Sequence, residues 1–142
     1  MSSEDLYHAR LVRLAREAAG AGTLERPDAS ATLDSPLCGD EVTVHVKLAE
    51  GRVVALAHRV RGCVLCQAAA SVIGRAAPGA TPGDIRAARA RLADMLERGG
   101  PAPEGRFADL SAFKPAAAVP SRRGCVLLPF DALEQALARV GA

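Results

Sequence analysis

The fold turns on residues 42–60. Val42-Thr43-Val44-His45-Val46-Lys47-Leu48 runs into Ala49-Glu50-Gly51-Arg52 and then into Val53-Val54-Ala55-Leu56-Ala57-His58-Arg59-Val60. In the first part Val42, Val44, Val46 and Leu48 alternate with Thr43, His45 and Lys47, the period-two pattern of a half-buried strand. A turn containing Gly51 follows. Val54, Leu56, His58 and Val60 then alternate with smaller or polar residues, which predicts a second strand and an antiparallel hairpin. His45 and His58 read as ordinary residues of the strand faces, at the surface or an edge, since most strand histidines bind nothing.

Working outward, residues 30–33 form a short extended segment upstream of the hairpin. Asp34-Ser35-Pro36 is a turn signal, and Cys38-Gly39-Asp40 falls in the loop after it. Nearer the N-terminus, Ser2 and Asp5 fit a helix capping box. Tyr7, Leu11, Leu14, Ala15 and Ala18 share one face of a helix that reaches about Ala19 and stops at Gly20 and Gly22.

Downstream, Arg61-Gly62 ends the second strand and Cys63 opens an Ala-rich helix reaching about Arg75. Thr81-Pro82-Gly83-Asp84 starts another, with proline at the first position and an acid at the third. Its apolar face is Ile85, Ala88, Leu92, Met95 and Leu96, and Gly99-Gly100 closes it. Residues 101–120 are rich in Pro, Gly and Ala, with one short helical stretch near Phe107–Phe113. A last helix carries Ala132, Leu133, Ala136, Leu137 and Val140. Proline is awkward in a helix interior, so Pro129 is expected to mark its start and to leave Cys125 at or before it. The order predicts an α+β fold: a small antiparallel three-stranded sheet with helices packed on one face, in a single domain over residues 1–142.

Composition narrows the function. Hydrophobic residues make up 49% of the 142, enough for one core, and only four are aromatic, so that core is aliphatic. The net charge of +2 is small, with acids and bases interspersed. No basic stripe interleaved with aromatics supports nucleic-acid binding. The apolar runs fall short of the ~20 residues a membrane span requires. Met1-Ser2-Ser3-Glu4-Asp5 lacks the charged-then-apolar pattern of a secretory signal, which leads to the expectation of a cytoplasmic protein. Four cysteines in such a domain then point to metal or sulfur chemistry rather than to a disulfide framework.

Cys38, Cys63 and Cys125 each fall at a predicted element boundary, from which residues distant in sequence can meet at one end of a sheet. A cysteine at a helix N-terminus faces the positive end of the helix dipole, and the thiolate is the form that ligates metals and attacks persulfides. Asp40 would add a hard oxygen to soft sulfur ligands, a set suited to zinc with one weaker, exchangeable position. Burial as small hydrophobes is the competing account of the cysteines. Cys63-Val64-Leu65-Cys66 is a single CxxC, with neither a preceding aromatic nor a surrounding βαβ pattern to support a thioredoxin-like role. Periodicity places Cys66 on the Cys63 face of the helix, as a spare ligand, a resolving thiol or core.

Three stretches resemble the IscU/NifU-N-terminal/SufU family of iron–sulfur cluster assembly scaffolds. They are Ser35-Pro36-Leu37-Cys38-Gly39-Asp40, Gly62-Cys63 with Ala68-Ala69-Ala70-Ser71, and Cys125 ahead of Ala132-Leu133. The long segment between Cys63 and Cys125 and the Pro120-Ser121-Arg122 approach resemble the SufU branch, making Arg122 the counterpart of that branch's arginine near the site. The resemblance implies Cys38, Asp40, Cys63 and Cys125 as the ligand set. It implies a scaffold, more than a turnover enzyme, that takes sulfur from a pyridoxal-phosphate cysteine desulfurase, builds a [2Fe–2S] cluster and hands it to apo iron–sulfur proteins. The alternative within the family is a zinc-dependent sulfurtransferase whose acceptor is Cys38. Four departures stand out. Gly124 replaces the His or Lys before the third cysteine, and Cys66 is an added thiol. The chaperone-binding Leu-Pro-Pro-Val-Lys run is not kept, and Pro129 falls in the expected last helix.

Overall fold

The computed structural model describes the backbone of residues 3–35 and 39–142, with side chains from His8 onward. Along the chain come α1 (Ser3–Glu17), β1 (Ala29–Asp34), β2 (Glu41–Ala49) and β3 (Arg52–Arg61). After them come α2 (Val64–Ala76), α3 (Pro82–Arg98), a 3-10 segment (Gly105–Ala118) and α4 (Pro120–Arg139). The three strands form one antiparallel sheet in the order β1-β2-β3, the α+β architecture expected from the alternation in residues 42–60.

Glu50 (φ 53°) and Gly51 (φ 76°) are both left-handed, the two-residue turn whose twist matches that of a hairpin. One part of the expected alternation fails. Lys47 pairs with Ala55 but Leu48 pairs with Val53, so Val54 is the extra residue of a β-bulge. The bulge shifts the side-chain phase: Val53 is buried and Val54 is 53% exposed, whereas Leu56 and His58 keep the inward phase.

Val42, Val44, Val46 and Ala31 point to the covered face, where α4 crosses β1 and β2 and α2 lies against β3. A second layer follows, with α1 on α2 and α3 on α4 and the 3-10 segment. The other sheet face is polar and carries cross-strand pairs. Ser30 Oγ lies 2.7 Å from His45 Nδ1, and Thr32 Oγ1 lies 2.8 Å from Thr43 Oγ1. His45 therefore keeps its expected place on a strand face.

His58 does not. It is 4% exposed, because the chain after α1 folds back beside β3. Ala18 (φ 45°) ends α1 earlier than the glycines would, and residues 20–22 then pair with the strand edge. His58 N–H donates to Gly20 O (2.9 Å) and Gly22 N–H to His58 O (2.9 Å). The ring Nε2–H donates to Ala19 O (2.7 Å), while Ala19 N–H donates to Ser71 Oγ (3.1 Å) on α2. Gly74 permits this approach, since a Cβ there would overlap the Ala19 carbonyl. Burial pushes the His58 pKa below its ordinary value, and the bond to Ala19 opposes that shift only partly.

The other helices follow their signals, with one correction. Thr81 and Asp84 form a reciprocal capping box at α3, whose hydrogen bonds hold the Asp84 carboxyl below the usual carboxylate range, and left-handed Gly99 closes the helix. The 3-10 segment is longer than the predicted helical stretch. It bends at Phe107, whose ring lies 6.0 Å from that of Phe130. The correction concerns α4, which begins at Pro120 and continues through Pro129. Proline at a first helical turn is pre-set for helix, so Pro120 takes the role assigned to Pro129. Cys125 therefore lies inside the helix rather than before it.

Candidate metal centre

Sheet register builds the site. Glu41 pairs with both Asp34 and Arg61, so the end of β1, the start of β2 and the end of β3 share one edge of the sheet. The loop between β1 and β2 closes on itself there. Ser35 N–H donates to Asp40 O (2.8 Å) and Gly39 N–H to Ser35 O (2.8 Å), with Gly39 at φ 70°. Only glycine takes that backbone conformation without cost. Asp40, 3% exposed, is thereby turned inward at the head of β2.

Gly62-Cys63 leaves β3 directly beneath it. Asp40 Oδ1 accepts from Cys63 N–H (3.2 Å) and Oδ2 from Cys63 Sγ (3.3 Å). Cys63 is the N-cap residue of α2, with extended backbone and no side-chain capping bond of its own. The carboxylate sits in the space a side chain at residue 62 would fill: a Cβ on Gly62 would lie 2.7 Å from Asp40 Cγ.

The third group comes from the opposite direction. Cys125 is fully buried in the second turn of α4, and one ligand atom from each of Asp40, Cys63 and Cys125 lies within 4.8 Å of the other two. Two sulfurs and a carboxylate oxygen this close match the donors that hold zinc or iron, with metal bonds of about 2.0–2.3 Å. These three expected ligands are brought together from three elements. The fourth, Cys38, lies outside the described residues, as do Pro36, Leu37 and the expected helix cap Ser2.

The two accessory candidates fall elsewhere. Cys66 is wholly buried in the core and is not among the grouped ligand atoms. Arg122 is exposed in the first turn of α4. Its neighbour Arg123, which sequence reasoning passed over, donates from Nη2 to Ala117 O (2.7 Å) and ties the end of the 3-10 segment to the helix carrying Cys125. Reading along the chain also missed what Gly62 does, because its role is the absence of a methyl beside a residue 22 positions away.

Known proteins share this arrangement of elements. The family model described as the NifU-like N-terminal domain matches residues 6–103. A curated relative, the iron–sulfur cluster assembly scaffold protein IscU of Thermotoga maritima, is 28% identical over 103 residues, 72% of this chain and 72% of its own length. The crystal structure of a nitrogen-fixing NifU-like protein (N-terminal) from Brucella abortus superposes with a TM-score of 0.93 at 42% identity, covering 97% of this chain and 96% of that one. A protein from Fervidobacterium islandicum, described as an iron–sulfur cluster assembly scaffold for the SUF system, gives a TM-score of 0.84 at 24% identity, over 96% and 99% of the two chains. At that identity the likeness shows the fold alone.

Proposed function

Because the chain belongs to the NifU-like N-terminal domain family of iron–sulfur cluster assembly scaffolds, we propose that it takes sulfur from a cysteine desulfurase, and iron, assembles a cluster, and passes it to apo-proteins. Cys38, Asp40, Cys63 and Cys125 are the ligands in this reading. The observation that carries it is the meeting of Asp40, Cys63 and Cys125 at one point from β2, the start of α2 and the interior of α4. A shared hydrophobic core running from α1 through α4 supports reading the chain as one domain. No described helix is long and apolar enough to cross a membrane, in keeping with a cytoplasmic workplace.

The donor set suits cargo that must leave. Thiolates bind iron and zinc strongly, whereas a carboxylate is the harder, more exchangeable ligand. Asp40 has a second function, since it also accepts the hydrogen bonds of Cys63. Anaerobic incubation with ferrous iron and sulfide should give visible sulfur-to-iron charge-transfer bands, and the loaded protein should convert apo-ferredoxin to its holo form. Absence of the bands, or retention of the cluster in the presence of apo-ferredoxin, counts against the scaffold reading. Asp40→Ala should slow transfer, and equal transfer rates for variant and parent would remove the labilising role of Asp40.

The same donors favour one second reading, a zinc-dependent sulfur acceptor, because thiolate sulfur and carboxylate oxygen are both donors that zinc accepts. That protein would purify with near-stoichiometric zinc and stimulate its desulfurase, and Cys38→Ala would abolish the stimulation. Iron, zinc and labile sulfide measured together on freshly purified protein separate the two.

A further inference from the structure

We propose that Cys66 is a resolving thiol that reduces sulfur at this site: it attacks a persulfide carried on Cys63, releases the outer sulfur as sulfide, and leaves a Cys63–Cys66 disulfide. The inference rests on the scaffold reading and supplies a step that reading requires. Sulfur handed over as a persulfide is sulfane sulfur, two electrons more oxidised than the sulfide of a cluster. The ligands Asp40, Cys63 and Cys125 bind, but binding alone provides no electrons.

The geometry favours the pair. Cys63 is the N-cap of α2 and Cys66 is its third helical residue. The same two positions lie close together at α3, where the side chains of Thr81 and Asp84 each reach the other's backbone N–H at 3.0 Å. Helical rise and radius put Cα atoms three residues apart at roughly 5 Å, within the span of about 4.4–6.8 Å that a disulfide bridges. Cys66 is wholly buried and Cys63 is partly exposed. An incoming persulfide therefore meets Cys63 first, and Cys66 reacts through Cys63 rather than with solutes.

The chemistry balances. Cys63, partly exposed at the N-cap of α2, attacks the outer sulfur of a carrier persulfide and displaces the carrier thiol, which takes up the Cys63 proton. Cys66 then attacks the inner sulfur, Cys63 Sγ, and the outer sulfur departs as hydrosulfide. One carrier persulfide and two protein thiols become one carrier thiol, one protein disulfide and one hydrogen sulfide. The two protein sulfurs are oxidised by one electron each, and the sulfane sulfur gains both electrons. A dithiol reductant returns the disulfide to thiols by exchange.

The test uses reduced, metal-free, full-length protein without oxygen. The protein is incubated with glutathione persulfide, desalted, and read by intact mass, peptide mapping and released sulfide. The parent should release sulfide without added reductant, lose the mass of two hydrogens, and map its disulfide to Cys63–Cys66. Cys66→Ser should keep one extra sulfur and release sulfide at least about tenfold more slowly, since the intramolecular attack is gone. Equal release from variant and parent overturns the proposal. So does a parent disulfide that joins Cys63 to Cys38 or Cys125, a result that needs no variant to fold. Cluster formation by the parent from ferrous iron and inorganic sulfide bypasses this step, so its failure would strike the scaffold reading instead.

Discussion

At residue 62 the side chain is a hydrogen atom, and Asp40 occupies the volume a methyl group would take. The backbone at Gly62 is not left-handed, so alanine could adopt it, and the nearest obstacle to its methyl group is the Asp40 carboxylate. Residues that orient metal ligands typically alter affinity by roughly 10–100-fold when changed. Gly62→Ala should weaken metal binding by that order while leaving the far-ultraviolet circular dichroism spectrum intact. Calorimetric titration with zinc checks it, and unchanged affinity would show that Asp40 has another way to reach the ion. Asp40 itself works twice, as a candidate ligand and as the acceptor for both the amide and the thiol of Cys63.

Among the elements, the β2–β3 hairpin carries a correctable local cost. Glu50 holds φ 53° in a turn whose first position favours asparagine. Asparagine tolerates the left-handed region better than glutamate because its short amide bonds locally to the backbone. Glu50→Asn should recover part of the roughly 1–2 kcal/mol left-handed cost, read as a higher urea midpoint at constant slope. A midpoint that stays put or falls would mean Glu50 makes a compensating contact. Helix α4 shows the converse. Pro129 removes the intrahelical bond to the carbonyl four residues back, that of Cys125, yet the helix runs on because its apolar face is buried along its length. Packing outweighs a breaker that would end an isolated helix.

For the whole molecule, His58 joins three parts of the fold: strand β3, the segment after α1, and through Ala19 the Ser71 hydroxyl of α2. Its buried ring is held neutral, with a folded-state pKa below the unfolded value. The sign follows from linkage. Above the ordinary imidazole pKa of about 6.5 neither state is protonated at this residue, and its contribution is complete. As pH falls through that value the unfolded chain binds a proton the folded protein resists, so stability drops until the lower folded pKa is reached. Urea midpoints should therefore decline as the pH falls below the ordinary imidazole pKa of about 6.5. His58→Gln, which keeps an amide to donate to Ala19, should flatten that decline. An equally steep loss in the variant would assign the pH dependence to other groups.

The strand pair, α2, α3 and the sheet class were legible along the chain because their signals are local: alternation at Val42, Val44 and Val46, a capping box at Thr81 and Asp84, and Gly99 past a helix end. The ligand types were legible too, since Cys-Gly-Asp and Gly-Cys are contiguous and resemble a known family. Position in space was not. A bulge turned Val54 outward, a left-handed Ala18 brought a loop over His58, and Pro120 started α4 early enough to enclose Cys125. The loop over His58 depends on partners far away in sequence. The approach of Asp40 to Cys63 over a bare glycine is of the same kind: antiparallel register sets it, and register is fixed only when the sheet buries one face against its helices.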